Sequence, residues 1–213
     1  MAKSPFSKVA FSRDDESPDS HFYSQPRFVT HIDDAAIAAV TQLYREFLPP
    51  EGAILDLMSS WISHLPPEIQ YRHVTGLGMN REELSANPRL HRFVVHDLNQ
   101  NPTLPFEAAS FDAAMICVSI DYLIQPVPVL RDLARVVVHG GPLVITFSNR
   151  CFPTKVIRAW LSTDDAGRIA IVKALLVESG SWSDIESMDR SSGHGDPLFC
   201  VIARSKGQGS VAT

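Results

Sequence analysis

The chain has 213 residues, of which 45% are hydrophobic and 20% are charged, and its formal net charge at pH 7 is −5. This length suits one domain with a buried core, and the composition is that of a globular protein. The acidic balance gives no support to binding of nucleic acid or of an anionic membrane. No apolar run reaches the roughly 18 residues that span a bilayer, so no membrane partner is expected.

The N-terminal residues lack the apolar core of a secretory signal, which makes a cytoplasmic location the expectation. Cys117, Cys151 and Cys200 are far apart and form no CxxC pair. This spacing argues against a zinc knuckle or a disulfide framework and suits a reducing compartment. The eight histidines show no HxxxH spacing, so no metal site is expected.

Residues 1–20 are polar and rich in Ser, Asp and Pro, and this composition predicts disorder. Residues 21–50 are expected to form an N-terminal helical cover segment. Within it, apolar residues recur at helical spacing over 33–47, behind Asp33 and Asp34, which favour a helix start.

Five short apolar runs follow along the chain. They are continuous rather than alternating, which predicts strands buried on both faces of a parallel sheet. The segments between them can hold helices, one after Pro126 and one from Asp164 to Glu178 that Gly180 would close. The runs are AILDL (53–57), RHVTGL (72–77), RFVVHD (92–97), FDAAMICVS (111–119) and GPLVITFS (141–148).

The pattern changes after the last helix. WSDIESMD (182–189) and DPLFCVIARS (196–205) are too close together for a crossover helix, so they predict an antiparallel hairpin. The expected fold is α/β, with a seven-stranded, mostly parallel, Rossmann-like sheet, a terminal antiparallel β-hairpin and helices on both faces. The α/β domain would span 51–205, and 206–213 would be a flexible tail.

Three stretches carry a family resemblance. They are LPFEAASFDAAMICVSIDYL (104–123), VLRDLARVVVHGGPLVITFSN (129–149) and VVHDLN (94–99). With the terminal hairpin, they resemble class I S-adenosylmethionine-dependent methyltransferases, above all the small type 11-like members. No G-x-G-x-x-G follows the first strand, and a dinucleotide-binding domain would end in a sixth parallel strand, which disfavours a nicotinamide-dependent oxidoreductase.

The chain departs from this family at two motifs. The family's first motif is acidic-x-Gly-x-Gly-x-Gly, and here Met58, Ser60 and Ile62 stand at the glycine positions. The acidic residue expected after the second strand, which grips the ribose hydroxyls, is replaced within GLGMN (76–80). The chain resembles a subgroup with a glycine-poor first motif, in which serine hydroxyls can satisfy turn amides or a ligand carboxylate.

The resemblance implies S-adenosyl-L-methionine as the cofactor. Asp56 would organise the loop around the amino-acid end of the cofactor, or it would merely cap that loop. Arg27 would pair with the carboxylate of the cofactor. Asp97 would contact the adenine, or it would lie at a solvated strand end. Asn80 would bond the ribose, although capping of the next helix is the preferred interpretation. The predicted cofactor-binding residues are Asp56, Ser59, Ser60, Trp61, Gly78, Met79, Asn80, Asp97, Leu98, Val118 and Arg27.

Methyl transfer is an in-line displacement that needs proximity, alignment and, for a protonated nucleophile, a base. Asp121 and Tyr122 follow the fourth strand and are the first candidates, although Asp121 could instead cap the helix after Pro126. His64, just beyond the first-strand turn, is a second candidate base. The predicted substrate-binding residues are Tyr23, His31, Asn149, Arg150 and Phe152.

The sequence therefore predicts a transferase that moves a methyl group from S-adenosyl-L-methionine to a small-molecule acceptor, whose reacting atom (O, N, S or C) stays open. The protein would act as a monomer or homodimer. The alternative is a catalytically inactive methyltransferase-like protein that serves as a binding or scaffold module. Cofactor binding and turnover distinguish the two.

Overall fold

The five apolar runs form the parallel part of a seven-stranded sheet, with strand order β3-β2-β1-β4-β5-β7-β6. The structure, a computed structural model, describes residues 6–207. β7 runs antiparallel to both β5 and β6, which confirms the predicted fold class and its terminal hairpin. The strands are β1 (Ala53–Leu57), β2 (His73–Gly78), β3 (Arg92–Val95), β4 (Ala113–Cys117), β5 (Pro142–Phe147), β6 (Trp182–Asp189) and β7 (Phe199–Ser205).

The strand order reverses between β1 and β4, which lie side by side at the centre of the sheet. Leu57, the last residue of β1, pairs with Leu77 of β2 on one side and with Ile116 of β4 on the other. The connections from these two strands leave in opposite directions, so a crevice opens at their carboxyl ends. This topology fixes where a ligand can bind.

The helices begin and end at residues suited to those positions. The side chain of Asp33 accepts a hydrogen bond from the Ala36 amide, and that of Asp164 from the Gly167 amide. Gly180 ends the last helix at φ 75°, a left-handed conformation that favours glycine. The helices are α1 (Asp19–Phe22), α2 (Asp34–Phe47), α3 (Arg81–Ala86), α4 (Pro126–Val136), α5 (Arg158–Leu161) and α6 (Asp165–Ser179).

Apolar cores lie on both faces of the sheet. On one face α2 buries Val40 and Leu43 in an apolar cluster that includes Ile54 of β1 and Val144 of β5. On the other, α4 and α6 bury residues such as Leu133 and Leu176. Because both faces are covered, the strands read as continuous apolar runs in the sequence. Within residues 6–207, no helix combines the length and apolar character required to cross a membrane.

Residues 6–20 belong to the segment for which disorder is expected, and in the structure they contact the α/β domain; residues 1–5 lie outside the described residues. Lys155 has no exposed surface, and its Nζ donates to the Ser17 carbonyl at 2.7 Å. The same Nζ lies 3.3 Å from Asp19 Oδ1, and Arg13 donates to Asp19 at 2.8 Å. Buried charge pairs hold this segment, together with Phe6 and Phe11, which pack against the core. The predicted tail lies outside the described residues from 208 onward.

Replacing Lys155 by Met keeps the apolar stem and removes the ammonium group. We expect Lys155→Met to lower the free energy of unfolding by about 3 kcal/mol, because breaking a buried pair leaves an uncompensated charge. Urea unfolding followed by circular dichroism measures the loss. The control is Arg158→Met, since Arg158 pairs with Asp14 at an exposed position and should change stability by less than about 1 kcal/mol. Equal losses in the two variants would contradict the prediction.

Candidate active site

A cavity of about 470 Å³ lies at the carboxyl ends of the parallel strands. This volume falls in the range of small-molecule binding sites. Residues 19–31 of the N-terminal segment close one side, and loops that follow the strands form the others. The loops contribute residues from 58–60, 78–80, 96–99, 117–123 and 149–153.

Asp56 holds the loop that follows β1. Its Oδ2 accepts hydrogen bonds from the hydroxyls of Ser59 and Ser63, each at 2.6 Å. Burial raises the pKa of Asp56 to about 6, although the two hydroxyl donors act in the opposite direction. Asp56 lies behind the cavity wall, and Ser59 and Ser60 line the cavity itself. Its contacts fit both loop capping and support of a ligand by the loop.

Met58 stands at the position of the family's first glycine and adopts a glycine-like backbone, with φ 60°. The turn therefore keeps a left-handed residue although it has lost the glycine. Val118 (φ 42°) and His31 (φ 63°) share this conformation, and all three residues line the cavity. A positive φ is rare for a β-branched residue such as Val118, and such strain concentrates at ligand sites.

Ser59 packs its backbone against the end of β2. Its N–H donates to the Leu77 carbonyl at 2.8 Å. A Cβ atom at Gly78 would lie 2.2 Å from the Ser59 carbonyl oxygen. This close approach leaves room for glycine alone, so no acidic side chain can stand at the last residue of β2.

Asn80 caps α3, as the preferred interpretation of the sequence had it. Its Oδ1 accepts from the amides of Glu82 (2.9 Å) and Glu83 (3.1 Å). Its Nδ2 donates to the Tyr23 carbonyl at 2.9 Å. Asn80 and Met79 both line the cavity, but the Asn80 amide is already engaged in these bonds.

Asp97 and Leu98 lie at the cavity edge beyond β3. Asp97 Oδ1 accepts from the Asn99 amide at 2.9 Å and from the Gln100 amide at 3.2 Å, which closes the turn. Leu98 is buried and supplies apolar wall. The position leaves open both predicted roles of Asp97, adenine contact and strand-end turn.

Arg27 brings a cation to the cavity from the N-terminal segment. Its Cζ lies 4.3 Å from the ring centre of Phe22 and 5.5 Å from that of Phe152. Nη2 donates to the Phe22 carbonyl at 2.8 Å. Nη1 is buried and has no hydrogen-bond partner within residues 6–207. Arg27 itself lines the cavity, and a guanidinium suits an anionic ligand group, although the buried Nη1 atom is not exposed to the cavity.

Two further predicted residues of this segment, Tyr23 and His31, line the cavity. Burial raises the pKa of the Tyr23 phenol, and partial burial lowers that of the His31 imidazole. Trp61 does not line the cavity. Its Nε1 donates to the Val29 carbonyl at 2.9 Å, and its ring contacts Phe28 edge to face. Trp61 therefore connects the loop after β1 to the N-terminal cover segment.

The predicted bases lie behind the cavity wall. Ser119 and Tyr122 face the cavity from either end of a 3₁₀ turn, Ile120–Tyr122, while Asp121 between them is buried elsewhere. Residues three apart share a side of such a turn, which explains why Asp121 does not join them. His64 is also buried, outside the lining residues. Neither Asp121 nor His64 is among the residues that line the cavity, so their roles as bases stay predictions.

The loop after β5 supplies the other predicted residues, Asn149, Arg150 and Phe152, and all three line the cavity. Arg150 is largely exposed and pairs with Asp196, with 3.2 Å between Nε and Oδ1. The Phe152 amide donates to the Tyr122 hydroxyl at 2.8 Å, which joins the loops after β4 and β5.

Sequence reasoning missed Asp19, Glu83 and Asn99, which also line the cavity. Asp19 lies in the segment expected to be disordered, and Glu83 lies in the first turn of α3, where a carboxylate is favoured without any ligand. Asn99 donates to Asp19 Oδ2 (2.8 Å) and to the Tyr122 carbonyl (2.9 Å), and the VVHDLN stretch was its only signal. Within residues 6–207, no group of three or more His, Cys, Asp and Glu side chains could hold a metal ion.

The sheet order and the cavity at its switch point define a class I methyltransferase fold. In sequence, residues 60–145 match the family described as Methyltransferase domain, which confirms the resemblance to type 11-like class I methyltransferases. A search of the curated proteins gives no match.

Several solved structures are similar to this chain in fold. The cyclase SpnF has a TM-score of 0.62 at 14% identity, over 88% of this chain and 92% of that chain. A methyltransferase from Thermotoga maritima, described as a possible histamine N-methyltransferase, has a TM-score of 0.58 at 17% identity, over 80% and 89%. Phosphoethanolamine N-methyltransferase 2 from Haemonchus contortus, in complex with phosphomonomethylethanolamine and S-adenosylhomocysteine, has a TM-score of 0.56 at 14% identity, over 79% and 52%. These identities show the fold alone.

The contact between Ser59 and Gly78 predicts a large cost for Gly78→Ala. We expect a loss of about 3 kcal/mol in unfolding free energy, because the added Cβ meets a backbone oxygen in a hydrogen-bonded loop. Gly76→Ala is the matched control in the same strand. There the new Cβ meets the flexible end of Leu90, which can move, so a loss of about 1 kcal/mol is expected. Similar midpoints in urea unfolding of the two variants would refute the contact.

Buried Asp121 predicts an unusual pH dependence of stability. Burial raises its pKa to about 7, so between about pH 4 and 7 the folded protein keeps a proton that the unfolded chain has lost. Stability attributable to this group therefore falls as pH rises through that window. We expect Asp121→Asn to be more stable than the parent at pH 8, by up to about 4 kcal/mol, and nearly equal to it at pH 4.

Urea unfolding at pH 4, 6 and 8 measures this dependence. Burial also raises the pKa of Asp56, to about 6. The free energy of unfolding of Asp121→Asn should therefore still fall between pH 4 and 6, but less steeply than that of the parent. Exposed Asp14 provides the control, and Asp14→Asn should follow the parent at every pH. A constant difference between parent and Asp121→Asn across the range would disprove the assignment.

Proposed function

We propose that this protein is an S-adenosylmethionine-dependent methyltransferase that acts on a small-molecule acceptor. The observation that carries the proposal is the cavity at the β1–β4 switch point, in a chain whose residues 60–145 match a methyltransferase domain. Open α/β sheets bind ligands at this place. The volume of about 470 Å³ leaves space for the cofactor and a small acceptor rather than for a macromolecular segment.

The residues around the cavity fit such a cofactor. The guanidinium group of Arg27, a residue of the cavity wall, suits a carboxylate, and the loop that Asp56 holds brings Ser60 to the cavity as well. Leu98 and Val118 offer apolar surface to a flat ring. The left-handed backbone at Met58 supports the proposal that the loop works without its glycines.

S-Adenosylmethionine, when bound, supplies an electrophilic methyl group on a sulfonium, which transfers by in-line displacement. The protein then has to orient the acceptor, exclude water and remove a proton where the acceptor carries one. Tyr122, Asn149 and Phe152 are placed for orientation. Because burial raises the pKa of Tyr122, its phenol keeps its proton at neutral pH and donates or accepts hydrogen bonds as a neutral group.

His31 is the candidate base in place of Asp121 and His64. Its ring lines the cavity, and partial burial lowers its pKa, so the imidazole is neutral and can accept a proton at pH 7. The cysteines at 117, 151 and 200 are unpaired thiols, which suits the proposed cytoplasmic location. Monomer or homodimer remains the proposed assembly.

A non-catalytic binding module is the second candidate function. The observation that favours it is the burial of both predicted bases, Asp121 and His64, behind the wall. The fold is compatible with other chemistry as well, since SpnF is described as a cyclase. Turnover separates these possibilities, and fold likeness does not.

Calorimetric titration with S-adenosylmethionine, S-adenosylhomocysteine and NAD tests the proposal. We expect micromolar Kd values for the first two ligands and no binding of NAD. Arg27→Gln should weaken S-adenosylhomocysteine about tenfold or more, because a charge-assisted hydrogen bond to the carboxylate is lost. It should leave 5′-methylthioadenosine, which has no carboxylate, unchanged. Arg150→Gln is the matched control, because Arg150 lines the same cavity but is paired with Asp196.

Two outcomes would count against the proposal. If the folded protein binds neither S-adenosylmethionine nor S-adenosylhomocysteine, the proposed cofactor is wrong and the scaffold function is favoured. If the protein binds S-adenosylmethionine tightly but forms no S-adenosylhomocysteine in a broad screen of small hydroxyl, thiol and amine acceptors, the non-catalytic module is favoured.

A further inference from the structure

Two tyrosine hydroxyls in the cavity wall carry protons that no group within residues 6–207 accepts. The oxygen of Tyr122 accepts from the Phe152 amide at 2.8 Å, which leaves its own proton unused. The Tyr23 hydroxyl has no partner among the described residues, yet it is not sealed in the core as those of Tyr44 and Tyr71 are. Two hydrogen-bond donors are therefore available to a ligand in the cavity.

The two phenols belong to one row of aromatic rings. The ring centre of Phe22 lies 5.0 Å from that of Tyr23 and 5.3 Å from that of Phe152. The ring centre of Phe152 in turn lies 5.9 Å from that of Tyr122. Burial raises the pKa of the Tyr122 phenol, and the charges of Asp121 and Tyr23 raise it further, so the two hydroxyls lie within electrostatic reach of each other. One ligand group can meet both donors.

The charges around this row favour an anion. Arg27 Cζ lies 5.9 Å from the ring centre of Tyr23, and Arg27 forms no ion pair within residues 6–207. The carboxylate of Asp19 on the same wall has two cationic partners, Arg13 at 2.8 Å and Lys155 at 3.3 Å. The negative charge of Asp19 is thus offset, whereas the positive charge of Arg27 is not.

Burial keeps both phenols in the protonated form that donates, since it raises the pKa of Tyr23 as well as that of Tyr122. Burial also raises the pKa of their neighbour Asp121 to about 7, so this carboxyl group carries only part of its charge at neutral pH. Fixed O–H donors form short, strong hydrogen bonds to a negatively charged oxygen. They do not suit an amine acceptor, because they would occupy the lone pair with which the amine attacks.

We propose that Tyr23 and Tyr122 bind the oxygen of a phenolic acceptor as its anion, an inference that rests on the proposed function. The aromatic row offers a flat ring both stacking and edge-to-face contacts. His31, whose ring centre lies 5.3 Å from that of Phe152, is placed to take the proton of the phenol. That proton moves to the imidazole, and the negative charge stays on the oxygen between the two tyrosines.

The test compares 4-nitrophenol with 4-nitroanisole, its methyl ether, which lacks the ionisable hydroxyl. Each is titrated into protein saturated with S-adenosylhomocysteine, and the absorbance band of 4-nitrophenolate reports the ionised fraction of the bound phenol. The bound phenol should be more ionised than the free phenol at the same pH. Tyr23→Phe and Tyr122→Phe should each weaken 4-nitrophenolate about tenfold or more and lower the ionised fraction, because a hydrogen bond to a charged group is lost.

The ether and a third tyrosine provide the controls. Tyr23→Phe should leave the affinity for 4-nitroanisole unchanged, since the Tyr23 hydroxyl holds no bond within residues 6–207 that the variant could break. Tyr71→Phe removes a hydroxyl that is buried outside the cavity lining, and it should match the parent with both ligands.

The outcomes separate this inference from the proposed function. If Tyr23→Phe weakens the phenol and the ether equally, the ring merely packs against the ligand and the inference is wrong. If the parent binds S-adenosylhomocysteine but does not favour the ionised phenol, the inference fails and the methyltransferase proposal stands. If S-adenosylhomocysteine does not bind, the proposed function fails, and titration of the unliganded protein with the two nitro compounds still decides whether the donor pair binds an anion.

Discussion

The contact of the Ser59 backbone with the end of β2 is the constraint on which the site depends. Through its amide, hydroxyl and carbonyl, Ser59 is tied to Leu77, Asp56 and Gly78 in turn. The loop after β1 is thus fixed without the flexibility of glycine. The same contact excludes a side chain at the last position of β2, and Glu83 of α3 is the acidic residue that residues 77–83 contribute to the cavity wall.

The fold could be predicted because its signals are local. Apolar runs mark strands buried on both faces, Asp164 and Gly180 mark the limits of α6, and the short spacing of the last two strands allows only a hairpin. The contacts of the N-terminal segment with the domain could not be predicted, because they depend on Lys155, whose partner Ser17 is 138 residues away. Composition within a window carries no information about such a partner.

Residues that follow the strand ends could be located at the cavity from the sequence, whereas the direction of a side chain within a short turn could not be predicted. Tyr122 and Phe152 follow strand ends and line the cavity, whereas Asp121, one residue from Tyr122, points elsewhere because of a single 3₁₀ turn. Glu83 escaped notice for a different reason. A carboxylate in the first turn of a helix has an adequate local explanation, and only the burial of Glu83 in the cavity wall goes beyond it.

The left-handed residues Met58, Val118 and His31 bear on how this domain can be stabilised. Glycine at each position would relieve backbone strain of about 1 kcal/mol or more, so selection for heat tolerance would favour it. Each change would also delete a side chain from the ligand wall. At these three positions a stabilising substitution would thus also alter the cavity, a stability–activity conflict that Glu51, His64, Ala109 and Asp184, left-handed residues outside the cavity lining, do not share.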